Sequence, residues 1–329
     1  MRTFLTITAV AISIAASFSN SQCHAQWPGS TRGDIHKNWL EIGGRAYSRP
    51  GTDSDIPIVS DSNTGATLFS ADQATNGGSA PGLEISFGFE GNNLLERQWE
   101  FRSIVAEFEV DTDVAGPNLS SPLFPGDGVE SFNYEYESRL LSFELNSLRT
   151  LAPGIRFSSG PRYVSLREVA TTDLFTPTPT GVVGTPLIPV NTVATREATN
   201  GLIGLQAGLD LRFQVSRQIY TTGFIRTGGY YNPTEVTSTL NSFSDGLLFD
   251  SEPDTTITKS TGSFLAEVGG RVYVDLYHNL VSSYVGYEAT WIDGIALAPT
   301  AFLNDGTAGV DTANTLFFHA ITFGLRMDF

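Results

Sequence analysis

The chain has 329 residues, 33 of them glycine, a single cysteine and a formal net charge of −16. The negative charge disfavours nucleic acid as a partner. Cys23 lies so near the start that removal of a leader leaves no disulfide, thiolate metal site or cysteine nucleophile.

Residues 1–25 read as a secretory signal peptide. Arg2 supplies a positive start, and FLTITAVAISIAASF is apolar but too short to span a bilayer comfortably. Ala25 sits at a cleavage position, so the mature chain is expected to begin at Gln26. An N-terminal anchor helix is the competing reading. Asn20, Ser21 and Gln22 lack the pattern that lipidation of Cys23 requires. No linker, low-complexity run or internal repeat divides the remainder, so residues 26–329 read as one domain.

After the leader no apolar run is long enough for a membrane helix. Ten strand-like segments follow instead, at about 38–48, 82–91, 97–110, 131–146, 153–168, 198–213, 217–229, 260–275, 279–292 and 313–329. Most are as long as the roughly 9–11 residues a tilted strand needs to cross a membrane, against about 5–6 in soluble sheets. They alternate with period two. Phe264, Ala266, Val268 and Val272 share one face, and Glu267, Arg271 and Asp275 the other. At the end of the chain Ile321, Phe323, Leu325 and Met327 oppose Arg326 and Asp328.

The connections alternate too. Long ones fall at about 49–81, 111–130, 169–197, 230–259 and 293–312, and short ones near Gly91–Glu96, Ser147–Ala152, Ser216 and His278. Five long loops sorted strictly against four short turns is the layout of a bacterial outer-membrane barrel, whose turns are short on the periplasmic side. The predicted fold is therefore all-β: a closed antiparallel transmembrane barrel of ten strands in the outer membrane, surrounded by its lipid. Tyr163, Tyr220, Tyr230, Tyr231, Tyr277, Tyr284, Tyr287 and Trp291 fall mostly near strand ends, as interfacial girdles require. Ordinary aromatic enrichment of strands accounts for part of that set.

In a barrel the charged face points inward, because a charge on the lipid face costs about 2–4 kcal/mol at the midplane. Arg45, Arg156, Arg162, Arg212, Arg271 and Arg326 then share a lumen with Glu41, Glu84, Glu90, Glu144, Asp210, Glu267 and Glu288. If these charges pair across a narrow barrel they form a plug. If they segregate to opposite walls they set a field across a water-filled pore.

The long loops carry nearly all of the net negative charge. A solvated outer surface is the plain interpretation, and divalent cations bridging anionic lipid are the functional one. Asp53–Asp55 and Asp111–Asp113 have suitable oxygen donors, but neither continues into an EF-hand loop. His36, His278 and His319 have no ligand spacing to one another. His319 falls on the apolar face of the last strand without an evident serine partner. No enzyme, cofactor or resident metal is expected.

WIDGIALAP suggests a mouth. Trp291 suits the outer interface, Asp293-Gly294 turns the chain, and Ile295, Leu297 and Pro299 can fold back to constrict the barrel.

ELNSLR (Glu144–Arg149), GPRYVSLRE (Gly160–Glu168), TNGLIGLQAGLD (Thr199–Asp210), RTGGYYN (Arg226–Asn232) and GYEATWIDGIALAP (Gly286–Pro299), before the LFFH ending, carry a family likeness. In this order they resemble a family of outer-membrane β-barrel porins expanded in planctomycete bacteria, the seventh family to carry the beta-barrel porin name. The resemblance runs from about Leu140 to the end, and departs from the pattern at Pro161 and Ala320. It implies location and architecture, with no assigned substrate or catalytic residue. The terminal Phe329 resembles the aromatic ending by which the barrel-assembly machinery recognises its clients. Passive diffusion of small solutes through a narrow or partly occluded lumen is the expected activity. A closed barrel presenting acidic loops as an envelope scaffold or adhesin is the alternative.

Overall fold

The computed structural model describes residues 38–50, 57–76, 78–90, 98–121, 124–178, 188–244, 247–277, 280–301 and 310–329. The leader, His36, Asp53–Asp55 and His278 lie outside these residues, as does the side chain of Glu90.

The chain runs β1 (Trp39–Arg49), β2 (Pro57–Asp61), β3 (Thr67–Ser70), α1 (Ala71–Thr75), β4 (Gly78–Glu90), β5 (Gln98–Ser121) and β6 (Phe124–Ala152). It continues with β7 (Ile155–Thr178), β8 (Ile188–Gln214), β9 (Ile219–Ser244), β10 (Leu247–Tyr277), β11 (Val281–Ile295), α2 (Ala298–Ala301) and β12 (Asn314–Asp328). Ten of these strands close a ring in the order β1-β4-β5-β6-β7-β8-β9-β10-β11-β12, with β12 returning to β1. Every pairing is antiparallel. The small β2–β3 hairpin hangs from the top of β5 through Ser60 and Asp61.

The seam forms where alternation predicts it, with Leu40 opposite Met327, Ile42 opposite Leu325 and Ala46 opposite Ile321. Below it the Asn38 amide donates to the Phe329 carbonyl at 3.1 Å, and Phe329 donates back to Asn38 at 2.9 Å. Both ends of the described chain thus lie at the short-turn end of the barrel.

Charges inside and apolar groups outside invert the pattern of a soluble barrel. Ile42, Leu83, Phe101, Leu145, Leu205 and Phe323 form an exposed apolar belt, Leu205 reaching 70 % exposure. Toward the other end the belt stops at outward Glu107, Arg139, Arg167, Glu197, Glu235 and Asp293. An exterior of this kind, around a polar interior, is that of a transmembrane barrel.

Three expectations change. Segments 111–130, 169–197 and 230–259 are not long loops, because β5 to β10 continue through most of them and reach 24–31 residues. Their outer halves form a wall standing well beyond the belt. The polar composition hid this: in β9, buried Thr234 and Val236 still alternate with exposed Glu235. Next, the β6–β7 turn is Pro153-Gly154, past the expected Ser147–Ala152, because pairing continues to Ala152 opposite Ile155. Gly154 takes φ +75°, a conformation that favours glycine. Last, Tyr220, Tyr230 and Tyr284 point inward and are buried. Only Tyr163, Tyr231, Tyr277 and Tyr287 of the predicted tyrosines stand exposed on the outside.

Candidate functional site: a filled lumen

The inward residues stack in three layers, starting from the short-turn end. The first is ionic. Period-two alternation turns Glu41 and Arg45 of β1, Glu84 of β4, Glu144 of β6, Arg162 of β7, Asp210 and Arg212 of β8, Glu267 and Arg271 of β10, Glu288 of β11 and Arg326 of β12 into the barrel. They pair across it. Arg45 meets Glu84 at 2.7 Å, Arg271 meets Glu84 at 2.7 Å and Glu41 at 2.8 Å, and Arg162 meets Glu267 at 3.0 Å. Arg326 bridges Glu41 at 3.0 Å and Asp328 at 2.7 Å. Arg156 donates to Gln98 at 3.0 Å, and the Arg212 guanidinium lies 3.7 Å from the centre of the Tyr220 ring.

Four charged members of this layer were absent from the predicted ladder: Glu100, Arg102, Arg226 and Asp328. Arg102 is its hub, reaching Glu84 at 2.9 Å, Glu288 at 2.8 Å, Glu267 at 3.1 Å and Glu144 at 3.4 Å. Arg226 joins Glu100 at 2.9 Å to Glu144 at 3.1 Å. A parity signal for them existed. Phe101, Ser103 and Val105 alternate with Glu100, Arg102 and Ile104, and only the latter set has charges at belt height. Charges on both faces of the segment, with Glu107 and Glu109 outward above the belt, obscured it. Of the two lumen readings, the geometry is that of cross-barrel pairing.

The second layer is aromatic and aliphatic. Phe318 packs against Phe108 at 5.2 Å and Tyr47 at 6.3 Å between ring centres, amid buried Leu166, Leu202 and Leu265. Above it Arg49 is wholly buried and pairs with Glu168 at 3.0 Å, and it donates to the Tyr136 hydroxyl.

The third layer closes the far mouth. Trp291 stands opposite Phe317 in the sheet, and Asp293 accepts from Thr315 at 2.6 Å. Gly294 takes φ +81°, and a Cβ there would come within 2.6 Å of the Gly262 carbonyl oxygen. The chain then turns into the barrel, where Ile295, Leu297 and Pro299 are buried. Side chains from the wall hold the backbone of this segment. Asn200 donates to the Ala296 carbonyl at 2.8 Å and accepts from its amide at 2.9 Å. Asn232 donates to the Gly294 carbonyl at 3.1 Å, Ser263 donates to the same oxygen at 2.6 Å, and Glu168 accepts from the Ala298 amide at 3.0 Å. Around the segment Phe69, Ala74, Phe132, Tyr134 and Leu174 make an apolar core inside the wall. Sequence reasoning missed the Asn200–Asn232 clasp, whose only signal is a pair of amides on the inward face of strands.

Asp111 and Asp113 sit on the exposed face of β5. Asp111 lies directly opposite Glu135, Glu109 opposite Glu137, and Asp113 accepts from Asn133 at 2.6 Å. Among the described residues no three carboxylates or histidines converge as metal ligands. His319 faces outward between the rings of Tyr287 and Phe317, each 6.0 Å away. Ser48 stands opposite it in the register.

No protein-family model matches the chain, and no curated protein does. Solved barrels do. The outer-membrane protease OmpT of Escherichia coli aligns with 91 % of this chain and 99 % of its own, at 10 % identity and a TM-score of 0.44. A Pseudomonas aeruginosa FadL homologue covers 90 % of this chain and 91 % of its own at 9 % identity and a TM-score of 0.29. The Pseudomonas putida toluene transporter TodX covers 90 % of each chain at 7 % identity and a TM-score of 0.30. Likeness at this level carries no activity from one protein to another.

Proposed function

We propose that the protein is an outer-membrane barrel held shut, acting as an envelope scaffold that presents a tall acidic wall outside the cell. The observation that supports this is the continuous filling of the lumen by ion pairs, then rings and leucines, then the buried segment 295–299. A pore needs an unfilled path, and small barrels are the size at which side chains fill the interior. The family resemblance supports the same location, and Phe329 serves as the residue the barrel-assembly machinery reads. Replacing Phe329 with Ala lowers the folded protein recovered in outer-membrane fractions, and unchanged recovery removes that role.

Passive diffusion of small solutes is the second reading, favoured by the cavity of about 70 Å³ at the short-turn mouth. Planar-bilayer recording of purified protein decides between them. The scaffold predicts silence both from the intact protein and after deletion of residues 294–299, because the ionic layer still blocks the lumen. Steady, salt-dependent steps from the intact protein support the pore and defeat the scaffold.

A further inference from the structure

We infer that the open edge of β10, beyond the belt, is a docking site for an extended, cationic segment of another protein, which adds a strand to the wall. β10 runs for 31 residues and its neighbour β11 for only 15. β11 turns into the barrel at Gly294, so it pairs with β10 only from Phe264 to Tyr277. Above Phe264, β10 keeps β9 on one side, in unbroken register from Thr255 onward. Among the described residues no strand pairs with the other side. The site lies on the flank of the wall and does not depend on whether the lumen is shut.

The glycines show which main-chain groups face the open side. The Gly270 and Gly262 carbonyl oxygens lie 2.5 and 2.6 Å from where a Cβ on Gly286 or Gly294 of β11 would stand, whereas the Gly269 oxygen points to Gly223 of β9. Main-chain direction alternates along a strand, so Thr256, Thr258 and Ser260 turn both N–H and C=O to the open side. All three residues are exposed. Two of their hydroxyls are engaged with β9, Thr256 with Thr237 at 3.2 Å and Ser260 with Tyr231 at 2.8 Å. What stays open is the main chain, and such an edge is a template for another strand. Lysine commonly guards exposed edges, but Lys259 is drawn away to the Val310 carbonyl at 2.9 Å.

A second copy does not fit this edge. Barrel strands tilt by about 35–45°, so the β10 edges of two copies standing in one membrane would cross at roughly 70–90° rather than pair. A strand of another chain is free to align. Its inward residues would extend the packing of Ile257 on the apolar core. Its outward residues would meet exposed Asp254 above, Asp293 below and Glu235, which stands opposite Thr258. Asp254 accepts from Thr239 and Asp293 from Thr315, hydroxyls that leave both charges unneutralised. Apolar and basic residues in alternation match the two faces.

A labelled short peptide of alternating valine and lysine, titrated into the full-length protein in detergent, tests the site by fluorescence anisotropy. Saturable binding is expected, at least tenfold tighter than for the same peptide with glutamate in place of lysine. Thr258→Pro removes one N–H from the open edge and none from the β9 ladder, and edge strands tolerate proline in that position. It should weaken binding at least tenfold while circular dichroism still reports the barrel. Hydrogen exchange on the unaltered protein needs no variant. The peptide should slow exchange at Thr256, Thr258 and Ser260 at least tenfold. Absence of saturable binding, or binding that leaves these amides exchanging as before, overturns the proposal. Equal affinity for Thr258→Pro overturns it too and leaves an acidic surface that collects cations. Slow exchange at these amides without peptide, together with the mass of a dimer, gives the edge to a second copy and overturns it as well.

Discussion

The two ends of one lumen are filled by opposite chemistries. Inside the belt the inward face is almost wholly ionic, built on Arg102, Arg45 and Arg271 with Glu84, Glu144, Glu267 and Glu288. Inside the wall apolar groups dominate it, built on Phe132, Leu174, Ala198 and Val236, with the Arg49–Glu168 pair and the Asn200–Asn232 clasp set among them. The same strands line both, with the same alternation. What differs is the outer face. Within the belt the outward positions must be apolar to meet lipid, so polarity has nowhere to go but in. Beyond the belt water lies outside, and the interior can be packed as in a soluble protein.

The two fillings fail differently when cut. Buried ion pairs contribute little net stability over an apolar replacement, because desolvation offsets attraction. Removing one partner is another matter, since the stranded charges stay buried. Arg102→Ala takes one partner from each of Glu84, Glu144, Glu267 and Glu288. Each keeps another arginine, but the buried layer is left with one negative charge in excess, at an expected cost of about 3–5 kcal/mol. Leu166→Ala, in the apolar layer above, removes packing and leaves a cavity, at about 2–5 kcal/mol. Urea unfolding in detergent measures both. The pair separates most clearly on a second substitution. Adding Glu84→Gln to Arg102→Ala should recover part of the loss, whereas no polar change recovers Leu166→Ala. If Arg102→Ala proves mild and Glu84→Gln adds nothing, the ionic layer is hydrated and the contrast between the two ends is lost.

Period two made most of this arrangement readable. Once Ile321, Phe323 and Leu325 are assigned to lipid, Arg326 can only point inward, and the same step places Glu267, Arg271 and Asp210. Which inward charges meet was not readable. Arg102 and Glu288 are 186 residues apart, and their contact depends on strand stagger around the ring, which alternation does not encode. The wall was missed for a different reason. Threonine and serine serve equally in loops and strands, so 230–244 carries too few apolar residues to display its period. The inward fold of WIDGIALAP was legible because Asp293-Gly294 marks a turn and the residues after it are too apolar to face water.

The wall's outer face offers the smallest test of the contrast. Glu109 faces Glu137 and Asp111 faces Glu135 in directly opposed pairs on β5 and β6. Like charges in that position are destabilising by roughly 0.2–1 kcal/mol per pair. Inside the belt a charge is neutralised by a neighbour across the lumen, whereas here the directly opposed residue carries the same sign. Glu109→Gln should therefore stabilise the barrel by about 0.2–1 kcal/mol in low salt. The gain should shrink as salt rises, because the Debye length falls from about 30 Å at 0.01 M to about 3 Å at 1 M. Arg102→Ala, at a residue only 3 % exposed and paired within the lumen, should show no comparable salt dependence. Unfolding curves at the two salt concentrations give both values. A destabilised Glu109→Gln at low salt would mean that the acidic pairs are bridged by something bound, and that the wall is less bare than its sequence implies.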